Sequence, residues 1–155
     1  MNRIGLVALS AAIVFGAGVG LTAVNAQSPE ELVEQRQEHM RVFGNAMRVT
    51  SAFVREDAAT IEEVQQAVMP AAAQAPDILS WFPEGTEVGV GDSRALPIIW
   101  EQWDEFTAVA NEASQAIVNF EEVVALGDPA NIATAMGQAG QTCATCHDTY
   151  RAPEQ

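Results

Sequence analysis

Between Ser28 and Tyr150, apolar residues recur at spacings of three and four in four separate stretches, the period of one helix face. The first stripe is Val33, Arg36, Met40, Phe43, Met47, Thr50 and Val54, a heptad seam, and the second is Ile61, Val64, Val68, Ala71, Ala75 and Ile78. The third runs Trp103, Phe106, Ala110, Ala113, Ile117, Phe120 and Val124, and the fourth Ile132, Met136, Ala139, Cys143, Cys146 and Tyr150. Punctuation agrees with the period. Ser28-Pro29-Glu30-Glu31 and Thr60-Ile61-Glu62-Glu63 are capping boxes, Gly127 is a stop signal, and Asp128-Pro129 starts the last helix. Pro70 and Pro76 are expected to kink the second helix, and the third is expected to start near Pro97. Pro83 to Ala95, with three glycines and no helical period, reads as a connection long enough to cross the end or side of a bundle. No strand pair, internal repeat or low-complexity tract interrupts this pattern. The expected fold is all-α, an antiparallel up-down-up-down four-helix bundle.

On the fourth stripe lies Cys143-Ala144-Thr145-Cys146-His147, the pattern of a c-type haem attachment site. Each thiol can add across one porphyrin vinyl group, and His147 then follows as the proximal axial iron ligand. Two cysteines three apart share a helix face, so one covalent haem c would sit on the C-terminal helix and inside the bundle. A zinc site would need a fourth ligand, with only His39 to spare, and a dithiol redox motif belongs with a βαβ pattern absent here.

Met1-Asn2-Arg3 is a short basic start, Ile4 to Val24 is almost wholly apolar and small, and Val24-Asn25-Ala26 reads as a cleavage site. Residues 1–26 are therefore expected to be a signal peptide, with a mature domain over residues 27–155. The apolar run is also long enough for a membrane anchor, but Gly16, Gly18, Gly20 and the cleavage site favour export to the periplasm, with no membrane association after cleavage. The full sequence has seven arginines, no lysine and 21 acids, for a formal charge of −14. Cleavage removes Arg3 and no acid, leaving six arginines and a charge of −15. Nucleic acid and anionic membranes are poor partners for such a surface, whereas a redox partner should present a basic patch. The charge also serves solubility alone.

Together these features resemble the class II cytochromes c, the cytochrome c′ family. Beyond the haem motif and its continuation to Tyr150-Arg151, the resemblance rests on Arg36-Gln37-x-x-Met40, Trp81-Phe82-Pro83-Glu84-Gly85-Thr86, and Ile99-Trp100 followed by Phe106. It implies a periplasmic four-helix-bundle protein that transfers electrons and binds nitric oxide or carbon monoxide, often as a homodimer through its first two helices.

Arg36 interrupts an apolar seam, where a guanidinium is costly unless an anion meets it, and a haem propionate would serve. Snorkelling to water is the other course open to it. The resemblance implies the propionate contact and places Gln37 beside the haem. It also makes Met40 the distal residue. In the open form Met40 blocks the distal face without binding, leaving five-coordinate iron accessible to gases. In the low-spin form of the same class its thioether is the sixth ligand, giving a pure electron carrier. Trp81 is expected to pack on the porphyrin or to serve as a core aromatic. Arg151 is expected near the proximal imidazole, and also suits the helix C-terminus. His39 falls beside the seam and is expected to be a solvated surface residue, with Trp100 and Trp103 in the core and between helices.

A catalytic role such as a peroxidase would need a distal acid–base group where Met40 and Phe43 stand, with Arg36 the one residue that could alter this. No enzyme activity and no catalytic residue are expected. A bundle holding haem only for stability is a further reading. Acid–acetone treatment of the purified protein should leave haem on a polypeptide beginning at Gln27, with the mass of that chain plus one haem. Extractable haem or a retained N-terminus would contradict the reading.

Overall fold

The computed structural model describes residues 27–56 and 58–153. The expected signal peptide, residues 1–26, lies outside them. The chain forms α1 (Pro29–Ser51), α2 (Ile61–Gln74), a one-turn α3 (Ile98–Glu101), α4 (Trp103–Leu126) and α5 (Pro129–Tyr150). The long helices α1, α2, α4 and α5 are the four of the bundle, with α1 packed on α2 and α5, and α4 on α2 and α5. Among the described residues the only β pairing is an isolated antiparallel bridge between Ala95 and Arg151.

Local chemistry accounts for the helix ends. Ser28 and Thr60 each accept from the backbone N–H three residues on, while Glu31 and Glu63 return the bond to the cap residue. Asp128 caps α5 through the Asn131 N–H. At Gly127 the chain turns with φ +77°, a left-handed conformation open to glycine at little cost, so α4 stops and α5 doubles back after one residue. α1 ends in a π-helical segment, Ala52–Glu56.

The prolines act less symmetrically than expected. α2 runs through Pro70, whereas at Ala75, beside Pro76, it tightens into a 3-10 segment, Ala75–Trp81. The third helix also departs from expectation. Pro97 caps only α3; the chain breaks at Gln102 and the long helix begins at Trp103. Trp100 accounts for the extra turn, since its Nε1–H donates to the Phe82 carbonyl at 3.0 Å and ties α3 to the segment entering the long loop.

The core follows the stripes. Val33, Phe43, Val64, Val68, Phe106, Ile117, Phe120, Val124, Ile132 and Met136 are buried. Trp103 is the exception among the aromatics: it is 38% exposed, touching Phe106 from the rim, so its place in the seam and its expected core role are corrected. Trp100→Phe keeps the aromatic ring but leaves the Phe82 carbonyl without its donor. We expect a loss of about 1–2 kcal/mol in urea unfolding, with the helical circular dichroism of the native state unchanged.

Candidate functional site

A cavity of about 710 Å³ opens within the bundle, inside the range of roughly 300–1,000 Å³ usual for small-molecule and cofactor sites. α1 contributes Met40, Phe43, Gly44 and Met47; α4 contributes Phe106, Ala110, Ala113 and Ile117. Two alanines midway along the α4 stripe replace the bulk that a closed bundle core would need, and the space follows from them. α5 supplies Cys143, Cys146, His147 and Tyr150 on the opposing side. The cysteines lie on the core-facing side that periodicity predicts, and Met40 lines the same cavity from α1.

Both cysteines are free, half-buried thiols. Burial pushes Cys143 up from the ordinary thiol range, and burial with its neighbour Cys143 lifts Cys146 to about 11, partly offset by Arg151. His147 moves the other way: burial first, then Arg151 and Arg94, lower it, against the opposing charge of Asp148. At neutral pH the imidazole is uncharged and has a lone pair for a metal.

The polar end of the cavity is cationic. Arg36, Arg41, Arg94 and Arg151, four of the six arginines expected in the mature chain, line it, against a single acid, Asp92. Arg36 is 5% exposed and does not snorkel. Its Nη1 donates to Thr86 Oγ1 at 2.8 Å and to the Trp81 carbonyl at 3.3 Å, and its Nη2 to the Thr86 carbonyl and Ser93 Oγ, both at 2.8 Å. The guanidinium also lies 4.8 Å from the Phe82 ring centroid. These partners are all neutral, and no carboxylate meets Arg36 among the described residues. Gln37 fastens the same loop, its Nε2 donating to the Asp92 carbonyl at 3.0 Å.

The residues fit a covalent haem: two thiols and a neutral imidazole on one face, an apolar chamber, and buried positive charge at one end where propionates could lie. Trp81 takes the second of its two expected places, that of a core aromatic, and the expectation for His39 is corrected. Trp81 is buried but is not among the cavity walls; its ring lies parallel to His39 at 4.4 Å and beside Phe43 at 5.6 Å, and the next residue, Phe82, faces the cavity instead. The 3-10 geometry before it turns the two aromatics to different sides. His39 is not a solvated residue either, because its Nδ1 meets Gln74 Oε1 at 2.7 Å while Gln74 Nε2 donates back to the His39 carbonyl at 3.0 Å. It joins α1 to α2, away from the cavity.

Neither Phe82 nor Arg94 carries a site signal in the sequence: Phe82 is only a neighbour of Trp81, and Arg94 only a cation in an irregular loop. Gly44 also lines the cavity; a Cβ there would meet no protein atom within 4 Å, which leaves its place in a helix interior unexplained by packing.

The Cytochrome C′ family model matches residues 31–151. The cytochrome c′ of Pararhodospirillum photometricum is 32% identical over 124 residues, 80% of this chain and 98% of that protein. A cytochrome c-556 of Agrobacterium tumefaciens (strain B2A) is 36% identical over 124 residues, 77% of this chain and 95% of the relative. A solved cytochrome c′, described as having an unusual ligand-controlled dimer dissociation, superposes with a TM-score of 0.76 at 29% identity, covering 83% of this chain and 99% of its own.

Arg36→Leu removes the common donor of the loop: the Thr86 carbonyl keeps its bond from Ser93 Oγ, but the Trp81 carbonyl, Thr86 Oγ1 and Ser93 Oγ lose the guanidinium. We expect about 2–4 kcal/mol less stability in denaturant unfolding, faster amide exchange over residues 83–95, and retention of attached haem.

Proposed function

Because this chain belongs to the cytochrome c′ family, a c-type cytochrome with covalently bound haem, we propose that it works after export to the periplasm as an electron-transfer and gas-binding protein. In this reading Cys143 and Cys146 hold the one haem c, His147 is its proximal ligand, and the distal face is closed only by Met40. The observation that carries it is the apolar lining that α1 gives the cavity, Met40, Phe43 and Met47. His39 is engaged by Gln74 and Trp81, and four N–H groups of Arg36 are engaged by Trp81, Thr86 and Ser93.

When bound, the haem supplies a one-electron couple and an iron that can take a diatomic ligand. The chain supplies the rest. His147 is kept neutral and available, the apolar wall excludes water, and Arg36 and Gln37 place the loop beside the propionate end. The buried charge of Arg36, without a protein carboxylate, supports a propionate contact in addition to its loop bonds. Arg151 supports the proximal side.

Export is supported by the sequence of residues 1–26, and no helix among the described residues is long and apolar enough to cross a membrane. The acidic surface suits a partner with a basic docking patch. A homodimer through α1 and α2 is supported by likeness to the solved cytochrome c′ described as having a ligand-controlled dimer dissociation. Met40 as sixth ligand is a second reading, favoured by one observation: a half-buried thioether that enters the cavity from α1 while His147 enters from α5.

The test is optical. The ferric protein should be high-spin, and the ferrous protein should bind carbon monoxide or nitric oxide. Met40→Ala should speed carbon monoxide binding by roughly tenfold or more, leaving the ferric spectrum high-spin, because only a steric gate is lost. A low-spin ferric spectrum with a methionine-sulfur to iron band in the parent, absent from Met40→Ala, would instead establish the six-coordinate carrier.

A further inference from the structure

Beside the cavity, the end of the long loop and the chain leaving α5 are laced together. Arg94 donates from Nε, at 2.9 Å, and from Nη2 to the same carbonyl, that of Ala152. The backbone repeats the tie: Ala152 N–H donates to the Arg94 carbonyl at 2.8 Å, Leu96 N–H to the Tyr150 carbonyl at 3.0 Å, and Ala95 pairs with Arg151 as an antiparallel bridge. Tyr150 is buried, edge-on to Phe106 at 5.2 Å. Arg151 therefore lies between two anchored neighbours.

Arg151 is the residue at which the helix ends. Its backbone is extended, φ −118° and ψ 129°, while its N–H still donates to the His147 carbonyl at 3.2 Å, so this last helical bond and the lacing together place it. Its side chain lines the cavity with His147 and Arg94. Both guanidinium groups bear electrostatically on the His147 ring, with Asp148 the opposing charge.

We propose that Arg94 is a positioning residue for the proximal side of the haem: its two-point hold on the Ala152 carbonyl keeps Arg151 beside His147, and the positive charge so placed favours ferrous over ferric iron. The physical reason is Coulombic. A cation near the proximal ligand raises the energy of the more positive oxidation state, and since Arg151 is exposed, the size of that effect depends on how close its guanidinium is held. Placement is as important as charge, since an Arg151 free to swing into water would lose most of that interaction. The inference needs the bound haem but not the open distal face.

The test compares the reduction potentials of holoprotein variants Arg94→Lys, Arg151→Gln and the double variant Arg94→Lys/Arg151→Gln. Lysine keeps the charge, which itself bears on His147, but cannot make the forked hold. Arg94→Lys should move the redox equilibrium roughly three- to tenfold toward ferric, where tenfold corresponds to about 59 mV for one electron. The double variant should match Arg151→Gln alone, because the fork acts through Arg151. Thermal melts and the haem absorption spectrum identify any variant that has lost its fold. A parental potential in Arg94→Lys would overturn the proposal, as would an Arg94→Lys shift that persists in the Arg151→Gln background. Carbon monoxide binding by the parent reports separately on the distal reading, so the two can fail independently.

Discussion

The rest of the site depends on one buried guanidinium. Arg36 occupies a seam position on α1 where an apolar residue would ordinarily pack, and it is 5% exposed with no carboxylate partner among the described residues. Burying such a charge is costly, and desolvation lowers its pKa, although arginine remains charged at any physiological pH. Its compensation comes from dipoles: Thr86, Ser93, the Trp81 carbonyl and the face of Phe82. The same bonds impose a shape on an otherwise irregular segment. Thr86 and Ser93 are buried because they serve the guanidinium, and their mutual hydrogen bond at 2.7 Å closes the loop on itself.

From that loop the site is assembled on both sides. Toward α1, Gln37 bonds the Asp92 carbonyl; toward α5, Arg94 and Leu96 bond the residues that follow the haem motif. Phe82 is set against the cavity by the Arg36 contact below it and the Trp100 bond to its carbonyl. The helices provide a rigid frame and the loop provides cationic side chains, so one segment without regular structure connects α1 to the end of α5. Rigid positioning of this kind is what a redox site needs, since it limits reorganisation when the iron changes charge.

Much of the frame was legible in advance. Capping boxes at Ser28 and Thr60, the Gly127 stop and the Asp128 start lie where the sequence placed them, because each is a local contest between backbone groups and a side chain within four residues. Cys143 and Cys146 faced inward for the same reason, helical period alone. Errors began where distance along the chain mattered. Trp81 and Phe82 could not be told apart, because a 3-10 segment has a different angular step from an α-helix and exchanges which neighbour points inward. Trp103 was assigned to the seam, but the break at Gln102, drawn by a tryptophan bonding eighteen residues back, altered how that turn meets the core.

By itself, the sequence determined the helical class, most of the helix ends and the haem attachment motif, since these depend on composition and on contacts between near neighbours. Tertiary structure alone decided what Arg36 bonds to, that His39 serves the α1–α2 contact, that Phe82 and not Trp81 faces the cavity, and that Arg94 holds the chain beyond α5. Each of these joins groups eighteen or more residues apart, by hydrogen bonds or ring contacts. Such pairings have no sequence period; they exist only once the packing of the helices has brought the partners within bonding distance.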